Sequence, residues 1–146
     1  MPTAIHRRVA ACQNGSDPTL ITRLPSGWAV FGERQFLRGY ALLLPDPVVP
    51  HLNAMPARLR QSFLDDMGRL GDAVLVATGA LRINYAMFGN LEPALHAHVI
   101  PRYTTEDPVL ATQHPWAYDW NGAPSFDAAR ETDLLAMVRK NLLETR

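Results

Sequence analysis

The most regular hydrophobic pattern lies in the middle of the chain, where apolar residues recur at helical spacing. Five of them follow at intervals of four, four, three and four: Leu59, Phe63, Met67, Leu70 and Val74. This spacing places them on one face of an α-helix. We predict that the helix begins near Pro56, where a missing N–H costs nothing, and ends at Gly79.

Two further segments have helical character. Residues 132–144 carry Leu134, Leu135, Val138 and Leu142 at helical spacing, which predicts a second long helix that closes the domain. Residues 4–13 are predicted to form a short helix that ends at Asn14-Gly15.

Four apolar runs are short enough to be strands, namely residues 27–31, 39–44, 81–88 and 95–100. Pro45, Pro47 and Pro50 prevent the second run from continuing as a ladder. A Gly89-Asn90 turn is predicted to join the last two. Strands with short connections around one helix predict an α+β fold: a mainly antiparallel sheet, a long central helix and a C-terminal helix, in one domain over residues 1–146.

Composition narrows the range of partners and locations. Lys plus Arg and Asp plus Glu both number 14, so there is no basic excess of the kind that binds DNA or RNA, and no polynucleotide partner is expected. The single cysteine, Cys12, cannot form an internal disulfide. No apolar stretch approaches the roughly 20 residues of a membrane helix. We therefore expect a cytoplasmic protein without membrane association.

His96 and His98 are the residues that suggest chemistry. If residues 95–100 form a strand, both imidazoles lie on one face, about 7 Å apart at Cα, while Leu95, Ala97 and Val99 face the other way. Three interpretations are open: two solvated polar residues, part of a metal site, or a nucleophile and its partner at a phosphate. A metal would need a further ligand; the candidates are His51, His114, Asp119 and Glu106.

A longer motif surrounds these histidines. Residues 89–102, Gly-Asn-Leu-Glu-Pro-Ala-Leu-His-Ala-His-Val-Ile-Pro-Arg, resemble the signature of the histidine triad (HIT) family, a Gly-Gln or Gly-Asn turn followed by alternating histidines and often Pro-Arg. Upstream, residues 39–45 resemble the family's Gly-His strand that leads to a proline. The resemblance covers roughly residues 27–103, which leaves 104–146 as a C-terminal extension.

One departure changes what the resemblance implies. Alignment on residues 99–102 puts the family's middle histidine at His96 and its last at His98, but Ala94 occupies the position of the first. Tyr40 likewise stands where a histidine is common, and the family's ribose contact falls near Gly32 or Glu33. The resemblance therefore implies a two-histidine variant whose nucleophile is His96.

The resemblance also implies substrate contacts around these catalytic residues. His98 would hydrogen-bond a phosphoryl oxygen or protonate the leaving group. Five further positions are expected to bind substrate: Gly89, Asn90, Asn84, Arg102 and Trp28. Among them Trp28, with Phe31 on the same strand, would contact the base. The aromatic segment 114–120 is expected either to cap the substrate cleft or a dimer partner, or to fasten the tail onto the sheet.

The expected function is hydrolysis or transfer of a nucleotidyl group at the α-phosphate, on dinucleoside polyphosphates or nucleoside phosphoramidates. No cofactor would be required, with a divalent cation such as Mg²⁺ assisting polyphosphate substrates. The alternatives are a nucleotide-binding module without turnover and, third, a metal-binding protein. A homodimer is expected because many HIT proteins are two-fold dimers.

Overall fold

A computed structural model describes residues 2–144, so the two ends of the predicted domain, residue 1 and residues 145–146, lie outside the described residues. Five strands form one sheet in the order β1-β2-β3-β5-β4. Every neighbouring pair is antiparallel. The strands are β1 (Leu20–Leu24), β2 (Gly27–Phe31), β3 (Ala41–Pro45), β4 (Arg82–Ala86) and β5 (Ala97–Arg102). The predicted α+β fold is confirmed.

All three predicted helices are present: α1 (Ala4–Gln13), α2 (Ala57–Thr78) and α3 (Thr132–Glu144). Pro56 precedes α2, and Gly79 ends it in a left-handed conformation with φ 69°, where the lack of a Cβ avoids strain. The predicted apolar face of this helix was wrong in one respect. Leu59 is 45% exposed, while Asp66 is buried on that helix and accepts hydrogen bonds from the backbone and hydroxyl of Ser26 at 2.8 and 2.6 Å.

The sheet is covered on both faces. On one face α2 and α3 pack against side chains such as Leu43, Ala97 and Val99. On the other, α1 and an aromatic segment pack against Leu42 and Ile100. Successive side chains of β5 therefore enter two different apolar layers. His98 lies on a buried face of the sheet, whereas a solvent-exposed position was one of the interpretations left open by the sequence.

Strand β1 was not predicted. Its burial pattern is irregular because the register with β2 shifts between Leu20 and Thr22. A bulge of this kind interrupts the period of two on which a sequence-based prediction depends.

The histidine strand begins later than predicted. β5 starts at Ala97, so His96 lies immediately before it, and residues 87–96 form a loop where a tight Gly89-Asn90 turn was predicted. The backbone N–H of Leu95 donates to Val49 O at 2.8 Å, which ties the end of this loop to the segment after β3. Among residues 2–144, no helix is long and apolar enough to cross a membrane.

Candidate functional site

His96 is oriented by the backbone. Its Nδ1 lies 2.8 Å from the carbonyl oxygen of Ala94. A carbonyl oxygen can only accept a hydrogen bond, so Nδ1 carries the proton and donates. In the neutral ring Nε2 then has the free lone pair. The residue is half-buried, so part of it is reachable from solvent.

His98 sits behind it and is buried. The two rings lie 4.9 Å apart between centroids and are inclined by 74°. Burial, together with the nearby His96, lowers the pKa of His98 from 6.5 to about 3, because a charged ring would lose its hydration. His98 is therefore a neutral hydrogen-bonding group at physiological pH, and the two predicted catalytic histidines are in contact.

Tyr40 holds the buried ring of His98. Its hydroxyl lies 2.7 Å from His98 Nδ1, and its side chain is buried. Burial also raises the pKa of Tyr40, so the hydroxyl keeps its proton. The tyrosine ring covers Gly32, where an added Cβ would stand 2.2 Å from ring atoms; only a glycine leaves room for it. Tyr40 was noticed in the sequence as a departure from histidine, but no role was assigned to it.

An aromatic wall closes the other side of His98. We use this name for Trp116, Trp120, Phe36 and Tyr118. Trp116 and Trp120 lie 5.0 and 5.9 Å from the His98 ring and stack on each other at 4.9 Å. Phe36 stacks on Trp120 at 4.0 Å and contacts Tyr118 at 5.5 Å. Segment 114–120 therefore both fastens the tail to the sheet and borders the histidine site.

Arg102 has a different environment from the one predicted. It is buried and forms an ion pair with Glu106 at 2.9 Å. Its Nη1 donates to Asn84 Oδ1 at 2.9 Å and to the carbonyl of Gln113 at 2.7 Å, and Nη2 donates to Leu110 O at 3.0 Å. The guanidinium is used internally and anchors the segment that carries Trp116, Tyr118 and Trp120. Substrate binding by Arg102 stays a prediction.

The other predicted contacts are dispersed. Asn84 lies on β4 and accepts from Arg102. Gly89 and Asn90 lie in the 87–96 loop, where Gly89 has φ 73° and Asn90 is exposed. Trp28 donates its indole N–H to Asp46 at 2.9 Å. Trp28 lies two strands across the sheet from His98 and is offset by two residues along the strand. Strand geometry puts the two Cα atoms about 12 Å apart, so the structure does not bring Trp28 to the histidines.

Two further positions, which the sequence suggested for contact with the base and the ribose, have other surroundings in the structure. Phe31 is fully buried and stacks on Phe126 at 4.7 Å between centroids, which leaves no face for a base. Glu33 is largely exposed and lies 3.8 Å from Arg8 Nε. Within residues 2–144, no group of three or more His, Cys, Asp or Glu side chains converges as metal ligands.

The architecture matches that of known proteins. No family model matches the sequence, and no curated protein matches it. The structure is similar to a histidine triad protein from Bradyrhizobium japonicum, with TM-score 0.74 and 21% identity over 84% of this chain and 89% of that one. A histidine triad protein from Sinorhizobium meliloti gives TM-score 0.72 and 20% identity over 84% and 87%.

A more distant match extends the comparison. A hypothetical histidine triad nucleotide-binding protein from Sulfolobus tokodaii gives TM-score 0.72 at 11% identity, over 92% of this chain and 90% of that one. These likenesses establish the architecture: the chain has the HIT fold, as the resemblance around His96 and His98 implied.

Proposed function

We propose that the protein binds a nucleotide and transfers its nucleotidyl group to water or another acceptor through His96. The observation that carries this proposal is the hydrogen bond from His96 Nδ1 to Ala94 O, because it leaves Nε2 with a free lone pair on a half-buried imidazole. Support also comes from the HIT fold and from the nucleotide-binding description of the Sulfolobus tokodaii neighbour.

The reaction would proceed in two displacements. His96 Nε2 attacks the α-phosphorus and forms a P–N bond while the bond to the leaving group breaks, the leaving group taking the electron pair. An amine leaving group takes up a proton, whereas a phosphate leaves as an anion. Water then attacks phosphorus, the P–N bond breaks, and the products are a nucleoside monophosphate, a proton and free His96.

His98 would serve as a fixed donor in both steps. Tyr40 keeps its proton and, among the described residues, has His98 Nδ1 as its hydrogen-bond acceptor. His98 then carries its own proton on Nε2 and presents an N–H to a phosphoryl oxygen. A neutral donor in a buried site stabilises developing charge without reorganisation.

The substrate class follows from the same chemistry. Dinucleoside polyphosphates and nucleoside phosphoramidates both carry an α-phosphorus with a stable leaving group. Since the guanidinium of Arg102 is already paired, a polyphosphate would bring its own counterion, and Mg²⁺ is the natural choice. No cofactor is needed for the displacements themselves.

The test separates an enzyme from a binding module. Purified protein is incubated with diadenosine tetraphosphate and with adenosine 5′-phosphoramidate, and AMP release is followed. We expect turnover that is lost in His96→Ala and kept in His51→Ala, since His51 is exposed on the segment between β3 and α2. AMP binding without release of product from either substrate would reject the enzyme and leave the binding module.

A homodimer is part of the proposal. Val76, Leu81 and Tyr85 are 63%, 60% and 42% exposed, and they lie on or beside α2 and the edge strand β4. An apolar patch at an unpaired strand edge favours association. Light scattering would give twice the monomer mass of 16.2 kDa; the monomer mass would exclude it.

A further inference from the structure

We propose that Trp116 is a positioning residue for the reaction: its indole covers the solvent side of the His98 ring, keeps water from it and so preserves the neutral tautomer that donates to a phosphoryl oxygen. The inference rests on the proposed function and adds a residue that acts through His98. Trp116 belongs to the aromatic wall and contacts the histidine directly, so this role can be tested without a substrate.

Three aromatic side chains enclose His98 in addition to His96. The hydroxyl of Tyr40 lies 2.7 Å from Nδ1, and the tyrosine is buried. Trp120 lies edge-on at 5.9 Å between ring centroids and is half-buried. Trp116 lies edge-on at 5.0 Å and is 39% exposed. Of these three rings, Trp116 is therefore the one that separates the buried imidazole from solvent.

The indole of Trp116 is held in this position from both sides. It stacks on Trp120 at 4.9 Å and 29°, and Phe88 packs against it edge-on at 4.8 Å. The indole N–H of Trp120 donates to the carbonyl oxygen of Pro115 at 3.0 Å, which ties the stack to the turn Pro115–Ala117 that carries Trp116. Because its ring and its turn are both fixed, Trp116 covers His98 as a preformed part of the site.

This cover lies on a different face of the sheet from the patch proposed for the dimer. Ala86 faces His98 across the β4–β5 ladder, so the side chain of Tyr85, one residue earlier, points to the other face. There the Tyr85 hydroxyl lies against Gly71 of α2. Trp116 contacts the face that carries His98, so the two proposals use different sides of β4.

The immediate neighbours of His98 leave burial as the main influence on its charge. Among the residues that the structure describes, those in hydrogen-bond or ring contact with it are Tyr40, His96, Trp116 and Trp120. None of them is a carboxylate that would stabilise a charged ring. Burial, with His96 second, lowers the pKa of His98 to about 3. Water admitted in place of Trp116 would stabilise the charged form and raise that pKa toward 6.5.

Three elements pack against His98: the residues just before β3, strand β4 and the segment 114–120. Their other charged and titratable groups lie at the surface or have another partner. The exposed ones are Arg38, Arg82, Tyr85, His114 and Asp119, and Tyr118 donates its hydroxyl to Glu106. The cover by Trp116 is therefore the feature of these elements that decides how readily His98 takes up a proton.

A charged His98 would also lose its orientation. Burial raises the pKa of Tyr40, so its hydroxyl keeps its proton and donates to His98 Nδ1. A proton on Nδ1 would turn this nitrogen into a second donor and break the bond. The Nε2–H that is proposed to face a phosphoryl oxygen is then no longer fixed. Exclusion of water by Trp116 thus preserves both the charge and the direction of the donor.

Nitrogen NMR of labelled histidine follows the titration of His98 directly. In the wild type we expect the neutral, Nε2-protonated ring throughout a titration between about pH 8 and pH 5. Trp116→Ala should raise the pKa of His98 toward its ordinary 6.5, so that charged and neutral forms coexist within that range. Trp116→Phe keeps a ring over His98 and should restore the behaviour of the wild type.

Leu91→Ala is the matched control, because Leu91 is an apolar residue that is 98% exposed in the loop before His96. It should leave the titration of His98 unchanged. Trp116→Leu keeps an apolar side chain on the turn and takes the place of the alanine variant if that variant does not fold; its shift should have the same direction and be smaller. An unchanged titration of His98 in the variant that folds would overturn the proposal.

Turnover of adenosine 5′-phosphoramidate gives the second readout. Trp116→Ala should lower kcat, by less than the roughly hundredfold that follows loss of a whole oxyanion donor, and leave KM unchanged because the indole acts through His98. A raised KM with an unchanged titration of His98 would make Trp116 a substrate contact and reject the positioning role. A lower free energy of unfolding with neither change would leave Trp116 a structural residue only.

The two proposals fail separately. If the wild type released no AMP from either substrate, the proposed function would be wrong, and the titration of His98 would still decide whether Trp116 keeps the ring neutral. If the wild type turned over and Trp116→Ala matched it in kcat and in the titration of His98, the proposed function would stand and the role of Trp116 would be rejected.

Discussion

The carbonyl oxygen of Ala94 lies 2.8 Å from Nδ1 of His96, so the backbone two residues upstream orients this imidazole. The contact comes from the backbone and is independent of the side chain. The methyl group of Ala94 points into a buried layer shared with α1, where Ile5 and Val9 also lie. Position 94 therefore supplies a carbonyl and a small side chain.

A histidine at position 94 should harm the protein. In Ala94→His the larger ring must enter a site that is 3% exposed, and overpacking of this kind costs about 1–3 kcal/mol. We expect a lower free energy of unfolding in urea and no gain in AMP release from phosphoramidate. Ala94→Gly keeps the carbonyl and serves as the comparison; higher turnover in Ala94→His would contradict the role given to the backbone.

Tyr40→Phe removes the hydroxyl that faces His98 and leaves its Nδ1 without a partner in a buried site. An unsatisfied buried polar atom costs about 1–3 kcal/mol. We expect that loss in urea unfolding, together with slower turnover, because the His98 tautomer is no longer fixed. Nitrogen NMR of labelled histidine should show a single Nε2-protonated His98 in the wild type and a mixture in the variant. Unchanged spectra would remove Tyr40 from the site.

Stability should depend on pH through His98. Its pKa is lowered to about 3 in the folded protein from an ordinary 6.5, so between these values the unfolded chain binds more protons. Stability is then full above about pH 6.5 and falls as the pH drops toward 3, by up to about 1.4 kcal/mol per pH unit.

Urea unfolding at several pH values measures this slope. His98→Gln, which cannot titrate, should flatten the curve in the acid range, whereas His51→Gln should leave it as in the wild type, because His51 is exposed. An equal slope in wild type and His98→Gln would show that other groups cause the acid sensitivity.

The buried pair of Arg102 and Glu106 should be the most costly ion pair to break. Arg102→Leu leaves the Glu106 carboxylate, with its side chain 3% exposed, without its cation, which predicts a loss of about 3–5 kcal/mol. Arg38→Ala removes a pair with Glu131 in which the arginine is 57% exposed and should cost about 0–1 kcal/mol. A small effect at Arg102 would show that this ion pair is not what holds segment 103–120.

Some of this molecule could be predicted from sequence and some could not. The helices were predictable because Phe63, Leu70 and Val74 repeat with the helical period and Gly79 marks the end of α2. His96 and His98 could be singled out because they are two positions apart, so both fall on one face of a strand, and because the motif around them is local. Local spacing and capping are the information that a single sequence carries directly.

What was missed depends on contacts between residues distant in the chain. Tyr40 and His98 are separated by 58 positions, and the donors of Arg102 are satisfied by a segment whose path no periodicity specifies. Strand β1 was hidden by its bulge. A charged residue such as Arg102 is normally exposed, so its burial becomes apparent only when Glu106, Asn84 and the loop carbonyls are placed around it.

The aromatic wall has an optical consequence. Of the three tryptophans in the chain, Trp116 and Trp120 lie within 6 Å of the His98 ring, whereas Trp28 is bonded to Asp46 at a distance from it. Two of the three indoles therefore lie beside the His98 imidazole. The native chain carries its own fluorescent reporter of the histidine site, with no dye or label attached.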